Sequence, residues 1–401
     1  MAYFRNSAVN LLNLHYGVHA IALSGGGAFY AAYLLKAGVA APGVLAAFAL
    51  ILGGRFVIRP IVIPIAIRWG MRPLVIAGTV LSAMQYLLLP AVDGIGVTLL
   101  ALCLLSALGD TVYWSSYHAY FAALGDHADR GQQIGAREAI AALVGIASPL
   151  ATGWALVTFG ARIAFGAAAL MLLIAALPLF WTPNVAVTRR VPGAFKAAIP
   201  GVLLFIADGW IATGFYFVWQ IALFLSLGKN FLAYGGALAV AALVGAIGGL
   251  LLGRHIDAGH GRRAAWLAVG GMAGLIALRA VAVDNAALAV IANALGSLAV
   301  CLYIPTLMTA LYNQAKRAPC ILRFHVAAEG GWDLGGASGS LIAALLIGLG
   351  APLASGILLS LLGTVGAFFL LRRYYGTQAA AALPAPGLAA HSELQAEAVR
   401  D

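Results

Sequence analysis

Long apolar runs, joined by connections of only a few residues, decide what this chain can become. They fall at roughly 16–38, 44–67, 73–92, 96–123, 133–159 and 162–181, then at 198–226, 231–253, 264–283, 286–313, 324–348 and 351–372. A helix needs about 20 apolar residues to cross a hydrocarbon core of about 30 Å, so each run is long enough for one crossing. Only helices satisfy every backbone polar group within one such segment. The expectation is an all-α polytopic membrane protein of about twelve helices, with no room for a sizeable soluble domain. Only 9% of residues are charged, against about 25% in soluble domains.

The polar stretch Thr182 to Lys196 divides the runs into two sets of six. This predicts a six-helix bundle over 1–181, a linker over 182–197, a second bundle over 198–373 and a disordered tail over 374–401. The two sets echo each other. Ala107-Leu108-Gly109 matches Ala294-Leu295-Gly296, and Phe29-Tyr30 matches Phe215-Tyr216. Offsets of about 186 to 191 residues predict two pseudo-symmetric bundles related by an axis along the membrane normal.

The net charge of +10 would suggest nucleic acid as a partner for a soluble protein. Here Arg68, Arg72, Arg189, Arg190, Lys196, Arg254, Lys316, Arg317, Arg372 and Arg373 all fall at one membrane face, as orientation requires. No nucleic acid partner is expected. Both termini are expected in the cytoplasm, and the bacterial inner membrane is the expected location. The opposite face carries Lys36, Asp93, Arg162, Lys229 and Asp284, with Arg279 near the end of the ninth run. Cys103, Cys301 and Cys320 are too scattered for a disulfide framework or a metal site.

The loop Leu250 to Arg263 places Gly253, Asp257, Gly261, Arg262 and Arg263 in order, and Arg68, Gly70 and Arg72 repeat part of it. In this the chain resembles the major facilitator superfamily over nearly its whole length. Departures from the family pattern are Ala258 where an Arg belongs, one extra residue before Gly261, and Ile67 in place of the first acid. The fourth-helix Arg of some members is also missing, with Leu105 at its place and Asp110 nearby. Ser148-Pro149-Leu150-Ala151-Thr152-Gly153 is similar to a proton-antiporter motif, with Ser and Thr replacing two glycines. The resemblance implies an alternating-access carrier whose helices 1, 4, 7 and 10 line the cavity. It also implies that Asp257, with Arg262 and Arg263, helps latch one state, Arg72 being the counterpart in the first copy.

An ionisable group inside a span costs at least about 2.5–3.5 kcal/mol near the centre, so each needs a partner, water or a function. Arg55 and Arg59 share a face of the second helix, and Arg55 reaches about 18 Å from the outer end at 1.5 Å per residue. Asp110 lies at a similar depth on the fourth. Two readings stand: the arginines attract an anionic solute while Asp110 exchanges a proton, or Arg55 and Asp110 form a fixed pair. Asp208 on the seventh helix, with Tyr216, Trp219 and Gln220 nearby, is a second protonation candidate, set against a packing hydrogen bond to a Ser or Tyr.

Asp333 and His118 extend the expected proton path. Glu138 with Arg137, and Glu329 near Arg323, stand at matching depths and suggest an inner gate. Tyr113, Trp114 and Tyr117 recur at helical spacing beside Asp110, as a binding wall for a flat or amphipathic solute or as simple packing. His15 and His19 lack the further ligands that a metal site requires, which leaves proton handling or interfacial anchoring. No cofactor is expected, and no nucleophile with its base is evident. The sequence therefore predicts a monomeric, proton-coupled secondary transporter of a small organic solute, anionic if the arginines bind it. Efflux of amphipathic or cationic compounds is the alternative within transport, and a non-transporting membrane sensor the alternative outside it.

Overall fold

The computed structural model describes residues 6–124, 130–256 and 261–382; the side chains of residues 122, 130–142, 250–256, 261–265 and 378–382 lie outside the description. Among the described residues twelve long helices follow one another. In the first half they are α1 (Ser7–Gly25, continuing as Tyr30–Lys36), α2 (Ala41–Ile58 and Val62–Trp69), α3 (Met71–Leu88), α4 (Val97–Leu124), α5 (Arg130–Thr158) and α6 (Ala161–Ala176). The second half holds α7 (Ala194–Ala212, continuing as Trp219–Ser226), α8 (Phe231–Ile256), α9 (Gly261–Val281), α10 (Ala286–Arg317), α11 (Ile321–Gly348) and α12 (Leu353–Leu358 and Ser360–Ala382). Ten of these contain a segment long and apolar enough to cross a membrane, and α5 and α9 contribute the shorter apolar stretches Leu143–Thr158 and Trp266–Val281. The architecture is the expected pair of six-helix bundles.

Several boundaries differ from the sequence reading; α7 starts at Ala194, so the end of the expected linker over 182–197 is helical, and α10 and α11 each extend a few residues beyond their apolar runs. α1 begins at Ser7, where the Asn6 side chain accepts a hydrogen bond from the Val9 amide at 3.1 Å and caps the helix. The polar start of the chain is thus part of the first crossing, with Asn13 and His15 buried inside it. At the other end α12 runs to Ala382, so the first residues of the expected disordered tail are helical.

Helices α1 and α7 are both broken, at corresponding places. α1 passes through a 3₁₀ turn at Gly27–Phe29, and α7 through a π-helix at Thr213–Val218. The irregular backbone of α7 is satisfied from neighbouring helices. Ser360 Oγ accepts from the Gly214 amide at 2.9 Å and donates to the Ile211 carbonyl at 2.7 Å, and Arg279 donates to the Phe215 carbonyl at 2.5 Å.

α11 packs directly on the backbone of α7. A side-chain carbon at Gly331 or Gly335 would collide with the carbonyl of Val202 or Ile206, and one at Gly339 with Thr213. These glycines recur every four residues, the small-residue spacing that lets membrane helices approach closely. This close seam faces α7, and it leaves Glu329 and Asp333 turned toward α2.

The linker is not loose. Arg72 donates to the Thr182 carbonyl at 2.9 Å, and Asn184 accepts from the Arg72 amide at 3.2 Å and donates to the Trp69 carbonyl at 2.8 Å. From the second half, Arg323 donates to the carbonyls of Thr188 and Arg189 at 2.9 and 3.1 Å.

Candidate functional site

Arg55 in α2 and Arg59 at the start of the 3₁₀ turn Arg59–Ile61 that joins its two parts stand four apart, as do Glu329 and Asp333 on α11, so each pair presents one face to the other. Arg55 Nε lies 2.9 Å from Asp333 Oδ1, at an angle outside hydrogen-bond geometry, and the contact is an ion pair. Arg59 Nε donates to Asp333 Oδ2 at 2.8 Å, a second Arg59 nitrogen reaches the same oxygen, and its third donates to Ser115 Oγ of α4 at 2.7 Å. Glu329 sits 3.8 Å from Arg55 and 3.9 Å from Arg59, and Asp110 of α4 lies 3.7 Å from Arg55.

Five charged groups from both bundles thus form one cluster, and an Arg55–Asp110 pair within the first bundle, at 3.7 Å, is only one of its edges. Three carboxylates face two guanidiniums, a surplus of one negative charge if all are ionised. Burial sorts the acids. The Asp333 side chain is fully buried, whereas those of Glu329 and Asp110 remain 17% and 28% exposed. Asp110 also borders a niche of about 20 Å³ lined by His19, Ser82, Gln85 and Trp114, room for about one water among polar partners.

The Major Facilitator Superfamily profile matches residues 14–320, well over half of the chain. The protein belongs to the major facilitator superfamily. Among solved structures, the nucleoside transporter NupG, in a mutant form, aligns over 92% of this chain and 99% of its own, with a TM-score of 0.67 and 10% sequence identity. That likeness is one of fold. Among curated proteins no sequence match is found. The chain is therefore a multi-pass membrane transporter of this superfamily.

The other predicted site residues of this superfamily member sort by their surroundings. Asp208 accepts from Tyr303 Oη at 2.9 Å and from Trp332 Nε1 at 3.1 Å. Both donors come from the second bundle, one a Tyr and the other a Trp. Tyr113 and Tyr117 are buried in the first bundle against His15 and His19 and form no exposed wall. His15 faces the Ala175 carbonyl at 2.7 Å and Tyr113 Oη at 3.0 Å, while His19 stacks on the Tyr113 ring with centroids 4.3 Å apart. Interfacial anchoring does not fit two buried imidazoles. Trp114 and His118 stack on each other at 5.4 Å and keep partial exposure.

In α7, Tyr216 is exposed and Gln220 partly so, but Trp219 is buried, donating to Asn293 Oδ1 at 3.0 Å. Glu329 faces the arginines of α2, not its sequence neighbour Arg323, which holds the linker; Arg72 likewise binds linker carbonyls. Asp257 lies outside the described residues, as do the side chains of Arg137, Glu138, Arg262 and Arg263.

Sequence reasoning missed Ser115 as an Arg59 partner, and it missed Arg279. Counted among the surface charges, Arg279 is in fact 3% exposed, with its guanidinium carbon 4.1 Å from the Phe215 ring centre and 4.7 Å from that of Trp219. The available signal was Gly296, where any side chain would strike the Arg279 guanidinium.

Proposed function

We propose that this transporter is a proton-coupled secondary carrier of a small, flat organic solute that is neutral or cationic, working by alternating access in a bacterial inner membrane. The observation that carries the reading is the cross-bundle cluster of two arginines and three acids. A carrier must break and remake contacts between its halves, and a cluster with one surplus carboxylate can take up a proton as it does so. Asp110 is the assigned proton carrier because it is the most exposed of the three acids and borders the one-water niche. Asp333 is the fixed anchor. Arg55 and Arg59 act as counter-ions, since an anionic solute would have to displace carboxylates already in contact with them.

Trp114, His118 and Tyr216 are each partly exposed, which suits a heteroaromatic solute. Nucleosides, named for the solved relative, belong in the first panel to be screened. Purified protein in liposomes with an imposed pH gradient tests the reading. A solute identified by thermal shift should move faster down the gradient with wild type, and Asp110→Asn should transport it with no response to the gradient. Equal gradient response in wild type and Asp110→Asn would overturn the assignment of Asp110. Efflux of amphipathic cations is favoured by the same acid surplus, and competition between cationic and neutral ligands separates the two solute classes.

A further inference from the structure

A groove of about 690 Å³ runs along the outside of the protein between α2, α11 and the linker. Its α2 wall is Phe56, Pro60, Ile63 and Ile67, spaced by three or four residues along one helical face. The opposite wall is hollow because α11 presents Ala327 and Gly330 there. From Phe56 to Ile67 is 11 residues, about 16 Å at 1.5 Å per residue, or about half of a 30 Å hydrocarbon core. The groove thus matches the depth of a single leaflet.

Its charge is one-sided. Arg59, Arg189 and Arg323 line it, and no acid does. Arg59 is engaged by Asp333, but among the described residues no carboxylate lies in ion-pair range of Arg189 or Arg323. Arg323 is buried, donating to the linker carbonyls of Thr188 and Arg189 and to the Cys320 sulfur, none of which neutralises its charge. Arg189 is exposed at the mouth, beside the exposed ring of Phe195. An apolar trough one leaflet deep, ending in two uncompensated arginines at the membrane face where loop arginines gather, is complementary to one kind of molecule.

We propose that this groove binds an anionic phospholipid, its phosphate at Arg189 and Arg323 and an acyl chain against Phe56, Ile63 and Val326. The bound headgroup would sit against the linker that joins the halves, independently of the transported solute.

The test is native mass spectrometry and thermal shift on purified full-length protein with phosphatidylglycerol against phosphatidylcholine. Wild type should retain phosphatidylglycerol preferentially. Arg189→Gln should lower that preference about fivefold, since one arginine near the surface contributes about 1 kcal/mol, whereas Arg190→Gln, a neighbour outside the groove, should keep it. Ala327→Phe, which fills the trough without changing charge, should also lose it. Equal loss in the Arg189 and Arg190 variants would show a diffuse surface field and overturn the site. Retention in Ala327→Phe, or equal protection by inorganic phosphate alone, would overturn the lipid assignment.

Discussion

Arg59→Gln removes the guanidinium that joins Asp333 to Ser115. With all groups ionised the cluster charge goes from −1 to −2, and the fully buried Asp333 keeps only Arg55. Breaking a buried pair by deleting one partner costs about 3–5 kcal/mol. The lower end applies here, because Arg55 remains and the partly exposed Glu329 and Asp110 can reach water. About 3 kcal/mol is a factor of roughly 100 in a conformational equilibrium. The loss falls on contacts between α2 and α11, toward the arginine-rich face. Near the other face α5 and α8 still touch where Gly153 meets the Phe231 carbonyl and Gly235 the Pro149 carbonyl. The variant should therefore populate a form separated at the arginine-rich end. Spin labels at Arg68→Cys and Lys316→Cys, in a background lacking the native cysteines, report that separation by pulsed dipolar spectroscopy. A longer distance gaining population in Arg59→Gln is the expected result. A distribution identical to wild type, in folded protein, would refute the idea that the cluster clasps the two halves.

Other expectations follow from single contacts. Asp208→Asn keeps an acceptor for Tyr303 or Trp332 but loses a charge-assisted bond, so thermal stability should fall by about 1–2 kcal/mol while solute binding by thermal shift persists. Gly335→Leu places a branched chain against the Ile206 carbonyl and should cost upwards of about 1–3 kcal/mol from overpacking, seen as a lowered unfolding temperature. Arg279→Gln withdraws the charged donor from the Phe215 carbonyl and should destabilise by about 1.5–3 kcal/mol, with increased hydrogen exchange at Thr213–Val218 the specific sign. Asp110→Asn leaves Arg55 and Arg59 balanced by two acids, so the fold should be retained while the response to a pH gradient is lost.

The helices were legible because lipid imposes one length on every crossing and the apolar runs satisfy it. Their ends were less so. Asn13 and His15 made the start of α1 look too polar for a span, yet they face the bundle interior. Depth, too, could be counted from the sequence, and it placed Arg55 level with Asp110. What counting cannot give is which way a side chain turns, and the nearest acid proved to be Asp333, on a helix of the other bundle. Direction also separates Tyr113 and Tyr117, turned inward, from Trp114 and His118 on the same helix. For Arg279 the charge itself misled, since an arginine near a helix end usually marks the membrane surface. Only its fit to the space over Gly296 reveals that it is folded inward.

The irregular turns in α1 and α7 bear on how far the two halves can present matching surfaces to a solute. A 3₁₀ turn has fewer residues per revolution than an α-helix, and a π turn has more. Beyond its break, α1 is therefore wound ahead of a regular helix and α7 behind it. Residues that correspond by repeat arithmetic differ in their surroundings at these breaks: Tyr30, just after the 3₁₀ turn, is 8% exposed, whereas Tyr216, inside the π turn, is 39% exposed. The two matching halves thus present dissimilar faces at these turns, and a solute lodged between them would meet a lopsided chamber with a defined way round to lie.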